Sequence, residues 1–163
     1  MDPIAISNKT ARKSNIGGVP AIVPSYVAEH VDKEAYILDF GCGPWMRHIE
    51  YLYDQGFKHV AGYEFGQNLK DGMQLFLNSD RYEIVYASNV FNTHSDLSMM
   101  DSAILKIQNT LIRSGSFYFN FPNKPNYSGM SRADFLNLVK DIFNRAPEKV
   151  SSNGVYHVKN YNK

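Results

Sequence analysis

Apolar residues along this chain gather in short runs that end at acids, glycines and asparagines, and between those runs they recur every three or four positions. In "AYILDFGCG" the apolar run is too short for a buried helix and does not alternate, so it predicts a strand covered on both faces. The period then changes. In "WMRHIEYLYDQG" Ile49, Leu52 and Tyr53 share one side of a helix, and Gly56 stands where a helix stops. "KHVAGYEFG" predicts a second strand, and "NLKDGMQLFLNSD" a further helix that Gly72 interrupts.

The same switching continues to the end of the chain. "RYEIVYASNVF", rich in Ile, Val and Tyr, predicts a third strand. "DLSMMDSAILKIQNTLIRSG" follows as a helix with Ile104, Ile107 and Leu111 at helical spacing and Gly115 closing it. "SFYFNFP" alternates, with Phe117, Phe119 and Phe121 on one face and Tyr118 and Asn120 on the other. In "SRADFLNLVKDIFNRAP" Ser131 caps a helix whose stripe is Phe135, Leu138, Val139 and Ile142, and Pro147 marks its end. "EKVSSNGVYHVKNY" reads as two short strands about an Asn-Gly turn.

This alternation predicts an α/β architecture: a mostly parallel sheet with helices on both faces, and a C-terminal antiparallel hairpin. One domain is expected over 1–163, with residues 1–19 as an N-terminal arm and 20–163 as the α/β core. A chain of 163 residues suffices for this, since at that length roughly two thirds of the unfolded surface is hidden on folding.

Charge and cysteine usage narrow the setting. Seventeen Lys and Arg against sixteen Asp and Glu leave a net charge of +1, so no global field draws the protein to nucleic acid or anionic lipid. Any nucleic-acid contact would rest on a local patch such as "NKTARKSN" or the loop near Lys124. The lone cysteine, Cys42, allows no internal disulfide, which points to a reducing, cytoplasmic setting. No leader-like or membrane-length apolar run is expected, and the five histidines show no metal-ligand spacing.

In α/β sheets ligands bind beyond the carboxyl ends of the strands. There the first strand ends in Asp39, Gly41, Cys42 and Gly43, and the second in Glu64 and Phe65. The glycines let backbone approach a ligand closely, and a carboxylate at the next strand end suits ribose hydroxyls. A dinucleotide loop would continue to a third glycine, but Pro44, Trp45 and Met46 follow, so a nicotinamide cofactor fits less well. An acid two places before the first glycine suits a cationic ligand, and S-adenosylmethionine carries an ammonium, a sulfonium and a ribose.

"ILDFGCG" followed by "VAGYEF" resembles motif I and the acidic strand end of class I S-adenosylmethionine-dependent methyltransferases. With "NKTARKSN", "GFKHVAGYE", "IVYASNVFN" and "LIRSGSFYFNFP", the likeness spans roughly residues 8 to 121. It is to the small methyltransferases of bacteria and phages, some associated with DNA phosphorothioation. The resemblance implies a Rossmann-like fold and binding of S-adenosylmethionine. It implies that Asp39, Gly41, Cys42 and Gly43 line the methionine end, Glu64 and Phe65 flank the ribose, and Arg12 pairs with the cofactor carboxylate. Asn89 and Asn92 would border the reaction cleft, and Ser88 or Asn89 would stand in for the acid that meets the adenine amine. From its position just past the third strand, on the ligand-binding side, His94 is a candidate general base, although a histidine there is more often a surface residue.

The chain departs from that pattern in two places. Pro44, Trp45, Met46 and Arg47 replace a basic residue, a glycine and an acid, and Trp45 either joins the core or narrows or stacks in the pocket. Only residues 65 to 81 separate the second strand from the third, so one strand-helix unit is expected to be missing. The acceptor is open between nucleic acid and small molecule: "SNVFN" is not the motif of amino-methylating DNA enzymes, and Cys42 is misplaced for cytosine C5 chemistry. The loop 122 to 132, with Lys124, Tyr127 and Arg132, is a candidate for selecting it. A reading of another class is a catalytically inactive methyltransferase-like protein that binds or inhibits.

Overall fold

A computed structural model describes residues 20–65, 70–124 and 126–162, except the side chains of 74 and 75. Its sheet has six strands: β1 (Tyr36–Phe40), β2 (His59–Tyr63), β3 (Tyr82–Ala87), β4 (Leu111–Phe119), β5 (Glu148–Lys149) and β6 (Tyr156–Lys159), in the order β2-β1-β3-β4-β6-β5. The first four are parallel, with Leu38 opposite both Ala61 and Val85 and Tyr86 opposite Tyr118. β6 runs antiparallel to β4 and to β5, which forms the expected C-terminal hairpin.

Helices cover both faces. On one lie α1 (Ile22–His30) and α2 (Arg47–Asp54); on the other, α3 (Leu97–Thr110) and α4 (Arg132–Phe143). Helix α1 is an element to which the sequence pattern assigns nothing. Pro24 fits its first turn, where a missing N–H leaves no bond unmade, and Val23 and Val27 are its buried side. The α1 face meets the even residues of β4, with the Tyr26 and Tyr118 ring centroids 5.6 Å apart. Odd residues of β4 face α4: Phe117 stacks on Phe143, and Phe135 packs among Phe91, Phe119 and Phe121. The alternation in "SFYFNFP" is realised in this way.

Three expectations change. The helix expected before the third strand is a 3-10 turn, Met73–Leu77, begun at Gly72 with φ 86°. Among the described residues between β2 and β3 there is no strand, in keeping with a missing unit. Helix α3 stops at Thr110 rather than at Gly115, because its last carbonyls have a distant partner: Asn160 Nδ2 donates to Gln108 O at 3.1 Å and Leu111 O at 3.4 Å. Gly115 instead lies inside β4 at a shift of register, where a Cβ would press on Ile112 O and Leu111 Cδ2 at 3.0 Å. Tyr53, expected on the buried side of α2, is half-exposed and donates its hydroxyl to Val60 O at 2.8 Å.

The expected signals at Ser131 and Gly56 hold, and Asp96 is a further cap. Ser131 accepts from the Asp134 amide at 3.1 Å, Asp96 accepts from the Ser98 amide at 2.7 Å, and Gly56 follows α2 with φ 95°. Since three aromatic rings pack around Phe135, Phe135→Ala should cost about 3–5 kcal/mol. Urea denaturation reads this directly, and a loss under about 1 kcal/mol would mean that α4 does not bury its stripe as described.

Candidate functional site

From β1 the chain moves outward to β2 and then crosses back to β3 on the other side of β1, so the connections diverge at the carboxyl ends of β1 and β3. Two loops meet there. Gly41 has φ 88°, and a Cβ on it would sit 2.5 Å from Val90 Cγ2, so only glycine lets the β1 loop lie against the β3 loop. Gly43 also has a positive φ, 74°, and Met46 enters α2 from the left-handed region at φ 51°. Backbone bonds tie the loop sideways to β2: the Gly41 and Cys42 amides both donate to Tyr63 O, at 2.7 and 3.0 Å. Those two N–H groups therefore hold the loop in place and are not offered to a ligand. Cys42 is buried, with its thiol pushed far up by desolvation, and acts as a small apolar filler beneath Gly62.

Two carboxylates line the strand ends. Asp39 is 1% exposed and accepts from the Tyr86 hydroxyl at 2.8 Å on Oδ2. Burial pushes its carboxyl up to about 7, against the Tyr86 bond, with Glu64 adding to the rise. Glu64 is 2% exposed rather than a solvated strand end, and its Oε1 accepts from the Phe65 amide at 3.0 Å. Desolvation also pushes it up to about 7, while the Phe65 and Gly43 amides oppose the rise. Its Oε2 is buried with no hydrogen-bond partner among the described residues.

The β3 loop forms the other wall. Asn89, in the left-handed region at φ 57°, makes a reciprocal pair with Asn120: its amide donates to Asn120 Oδ1 and Asn120 Nδ2 donates to Asn89 Oδ1, each at 2.8 Å. The Ser88 hydroxyl is buried without a hydrogen-bond partner among the described residues. Asn92 is buried, and its carbonyl accepts from the Tyr127 amide at 2.9 Å, which brings the 122–132 loop onto this wall. His94 is no surface residue: it has no solvent exposure and stands edge-on to Phe65, ring centroids 5.2 Å apart. Burial lowers it to about 4, so the ring is neutral at ordinary pH, and Nε2 has no hydrogen-bond partner among the described residues.

The structure thus brings Asp39, Gly41, Cys42, Gly43, Glu64, Phe65, Ser88, Asn89, Asn92 and His94 to one end of the sheet. Arg12 lies outside the described residues. Trp45 is not core: it is half-exposed at the loop, with the Arg47 guanidinium 5.6 Å from its ring centroid. Sequence reasoning missed Tyr86 and Asn120. Register puts Tyr86 directly opposite Asp39, and the only forewarning of Asn120 was an amide on the polar side of an otherwise aromatic strand.

No family model matches the chain, and no protein with a curated description matches it. Solved structures do. A TehB-like S-adenosylmethionine-dependent methyltransferase from Corynebacterium glutamicum superposes with a TM-score of 0.65 at 19% identity, over 97% of this chain and 98% of that one. An S-adenosylmethionine-dependent methyltransferase from Methanosarcina mazei gives 0.60 at 9% identity, over 86% and 98%. The [4+2]-cyclase SpnF gives 0.58 at 14% identity, over 84% and 68%. At these identities the likeness establishes the fold, which is the Rossmann-like fold of class I methyltransferases.

A carboxyl held near 7 in the folded protein and near 4 in the unfolded chain favours folding below the lower value and loses that contribution as pH rises through 7. The ligand-free protein should therefore lose about 2–4 kcal/mol of stability between pH 5 and pH 8. Asp39→Asn should flatten that dependence. Urea denaturation at a series of pH values tests this, and equal slopes in the two proteins would place the titration elsewhere.

Proposed function

We propose that the chain binds S-adenosylmethionine over the β1 loop and transfers its methyl group to an acceptor. The observation that carries this reading is the buried Glu64 carboxylate, whose Oε2 has no hydrogen-bond partner among the described residues at the carboxyl end of β2. A ribose hydroxyl supplies the missing donor. Asp39, kept partly protonated by burial, gains from a cation beside it, and the cofactor's ammonium is one. A pyrophosphate would instead bring negative charge against two acids, which disfavours a nicotinamide dinucleotide here.

When bound, S-adenosylmethionine supplies a methyl group on a positive sulfur: the acceptor's lone pair forms the new bond, and the electrons of the old one stay on sulfur. The protein's share is to orient the acceptor and exclude water. Gly41 and Gly43 shape the loop, Phe65 closes one side of it, and Ser88, Asn89 and Asn92 border the cleft between β1 and β3. His94 is the candidate to take the acceptor's proton because Nε2 has no hydrogen-bond partner among the described residues, but burial, which lowers it to about 4, makes it a weak base. Arg12 keeps its place in the reading as the partner of the cofactor carboxylate. The setting is cytoplasmic and the origin bacterial or phage, on the strength of the resemblance and of Cys42 as the lone, buried free thiol.

Calorimetric titration with S-adenosylmethionine, S-adenosylhomocysteine and NAD at pH 6 and pH 8 tests the reading. We expect roughly micromolar binding of the first two and none of NAD. S-adenosylmethionine should bind more tightly at pH 8, where the acids ionise more readily, and release protons on binding at pH 6. Asp39→Ala should weaken it at least about tenfold. A folded protein that binds neither would make the loop a retained turn in a non-catalytic protein.

A further inference from the structure

A cleft of about 260 Å³ opens beyond the carboxyl end of β4, where the start of α1, the chain leaving β4 and the β5–β6 turn come together. Its lining includes Ile22, Asn120, Asn123, Arg132, Asn153 and Gly154. Arg132 is the one ionisable side chain in that lining. Its Nε–H donates to Phe121 O at 3.1 Å, which fixes the plane of the guanidinium. No acid lies within ion-pair range of it among the described residues, where the ion pair found joins Lys58 to Glu34. Asn120, Asn123 and Asn153 share the lining with the guanidinium and bring no counter-charge. Lys124 is exposed in the same loop.

A half-buried guanidinium held in one plane and left without an acid is matched by a planar or tetrahedral oxyanion, which it grips through paired N–H groups. The cleft is also connected to the site described above. Asn120 lines it, is itself 5% exposed, and is the residue locked to Asn89 by two bonds of 2.8 Å. Asn120 is thus a wall common to this cleft and to the loop that borders the crevice between β1 and β3. The volume falls below the usual range for drug-sized ligands, about 300–1,000 Å³, and so suits a small molecule better than a nucleic-acid strand.

We propose that this cleft is an oxyanion subsite in which Arg132 holds the carboxylate or phosphate of a small methyl acceptor. The word acceptor rests on the methyl-transfer reading; the oxyanion site does not. The test is a nitrogen-15 NMR titration of the full chain, at constant ionic strength, with sodium acetate, inorganic phosphate and neutral acetamide, run with and without saturating S-adenosylhomocysteine. Acetate or phosphate should shift the Arg132 Nε–H and the Asn123 and Asn153 amides saturably, and whichever binds more tightly identifies the carboxylate or the phosphate class. Acetamide should leave those signals in place. Arg132→Gln should weaken the anion at least about tenfold, and Arg132→Lys should restore part of the loss.

The proposal is overturned if acetamide acts like acetate, if Arg132→Gln keeps the response in a protein whose other signals are unchanged, or if neither anion gives a saturable shift. It is also overturned if a short single-stranded oligonucleotide, but neither small anion, shifts these signals. Because the anion titration needs no cofactor, failure of S-adenosylhomocysteine to bind would remove the methyl-transfer reading while leaving the anion result standing. Anion failure with the cofactor bound would remove the subsite alone.

Discussion

Asp39 and Glu64 are two acids buried at neighbouring strand ends, and the groups that oppose their rise are neutral: the Tyr86 hydroxyl and the Phe65 and Gly43 amides. Neutral donors offset only part of the cost of taking a carboxylate out of water. The surrounding structure is arranged around this constraint. Tyr63 O collects the Gly41 and Cys42 amides, and the Glu64 carboxylate the amide of Phe65, so the loop after β1 takes its shape from β2 as much as from its own glycines. Val90 presses the loop from the other side. The result is a site whose loop is held by bonds within the protein, and whose electrostatics favour a partner that brings positive charge or hydroxyl donors.

The parts legible in the sequence are those governed by local period and local chemistry. The run "YILDF", the alternating "SFYFNF" and the stripe of α4 announce their elements because each buries a regular set of neighbours. Asp39, Gly41, Gly43 and Glu64 are legible because their spacing reflects backbone geometry. What failed to show depends on residues far apart in the chain. Helix α3 ends where Asn160 caps it, not where a glycine is available, and Gly115 answers to a bulge set by its pairing with β3. Helix α1 carries a short stripe and a proline, so its pattern resembles a loop until Tyr118 is placed beneath it. His94 reads as a surface histidine because the rings that enclose it, Phe65 and Phe91, come from different elements.

The two faces of the sheet divide the work. Beneath α3 and α4, Phe91, Phe117, Phe119, Phe121, Phe135 and Phe143 form an apolar aromatic layer. Beneath α1, the strands carry the hydroxyls of Tyr86 and Tyr118, and that of Tyr86 holds Asp39 from below. A polar residue is tolerated in this layer where the register supplies a partner, as Tyr86 does by lying opposite Asp39. The aromatic layer can therefore stabilise the domain without entering the chemistry, and the hydroxyl layer can support the acids without weakening the core.

That division bears on how the fold relates to a reaction. The same architecture is shared by methyltransferases and by a [4+2]-cyclase, so the sheet alone does not select the chemistry. The side of the β1 loop is built largely from backbone: positive-φ glycines, Tyr63 O and the amides of the loop itself. The opposite side is built from side chains on the 122–132 loop, which is braced internally where Asn126 Nδ2 donates to Met130 O at 2.8 Å and the Met130 amide donates to Ser128 Oγ at 3.0 Å. One backbone bond, from the Tyr127 amide to Asn92 O, docks that loop on the β3 wall. Side chains such as Arg132 and Lys124 can thus change without disturbing the bonds that hold the β1 loop. Selection of a partner molecule is accordingly separable from the fold, and the proposed oxyanion subsite would place it on a guanidinium without a counter-acid.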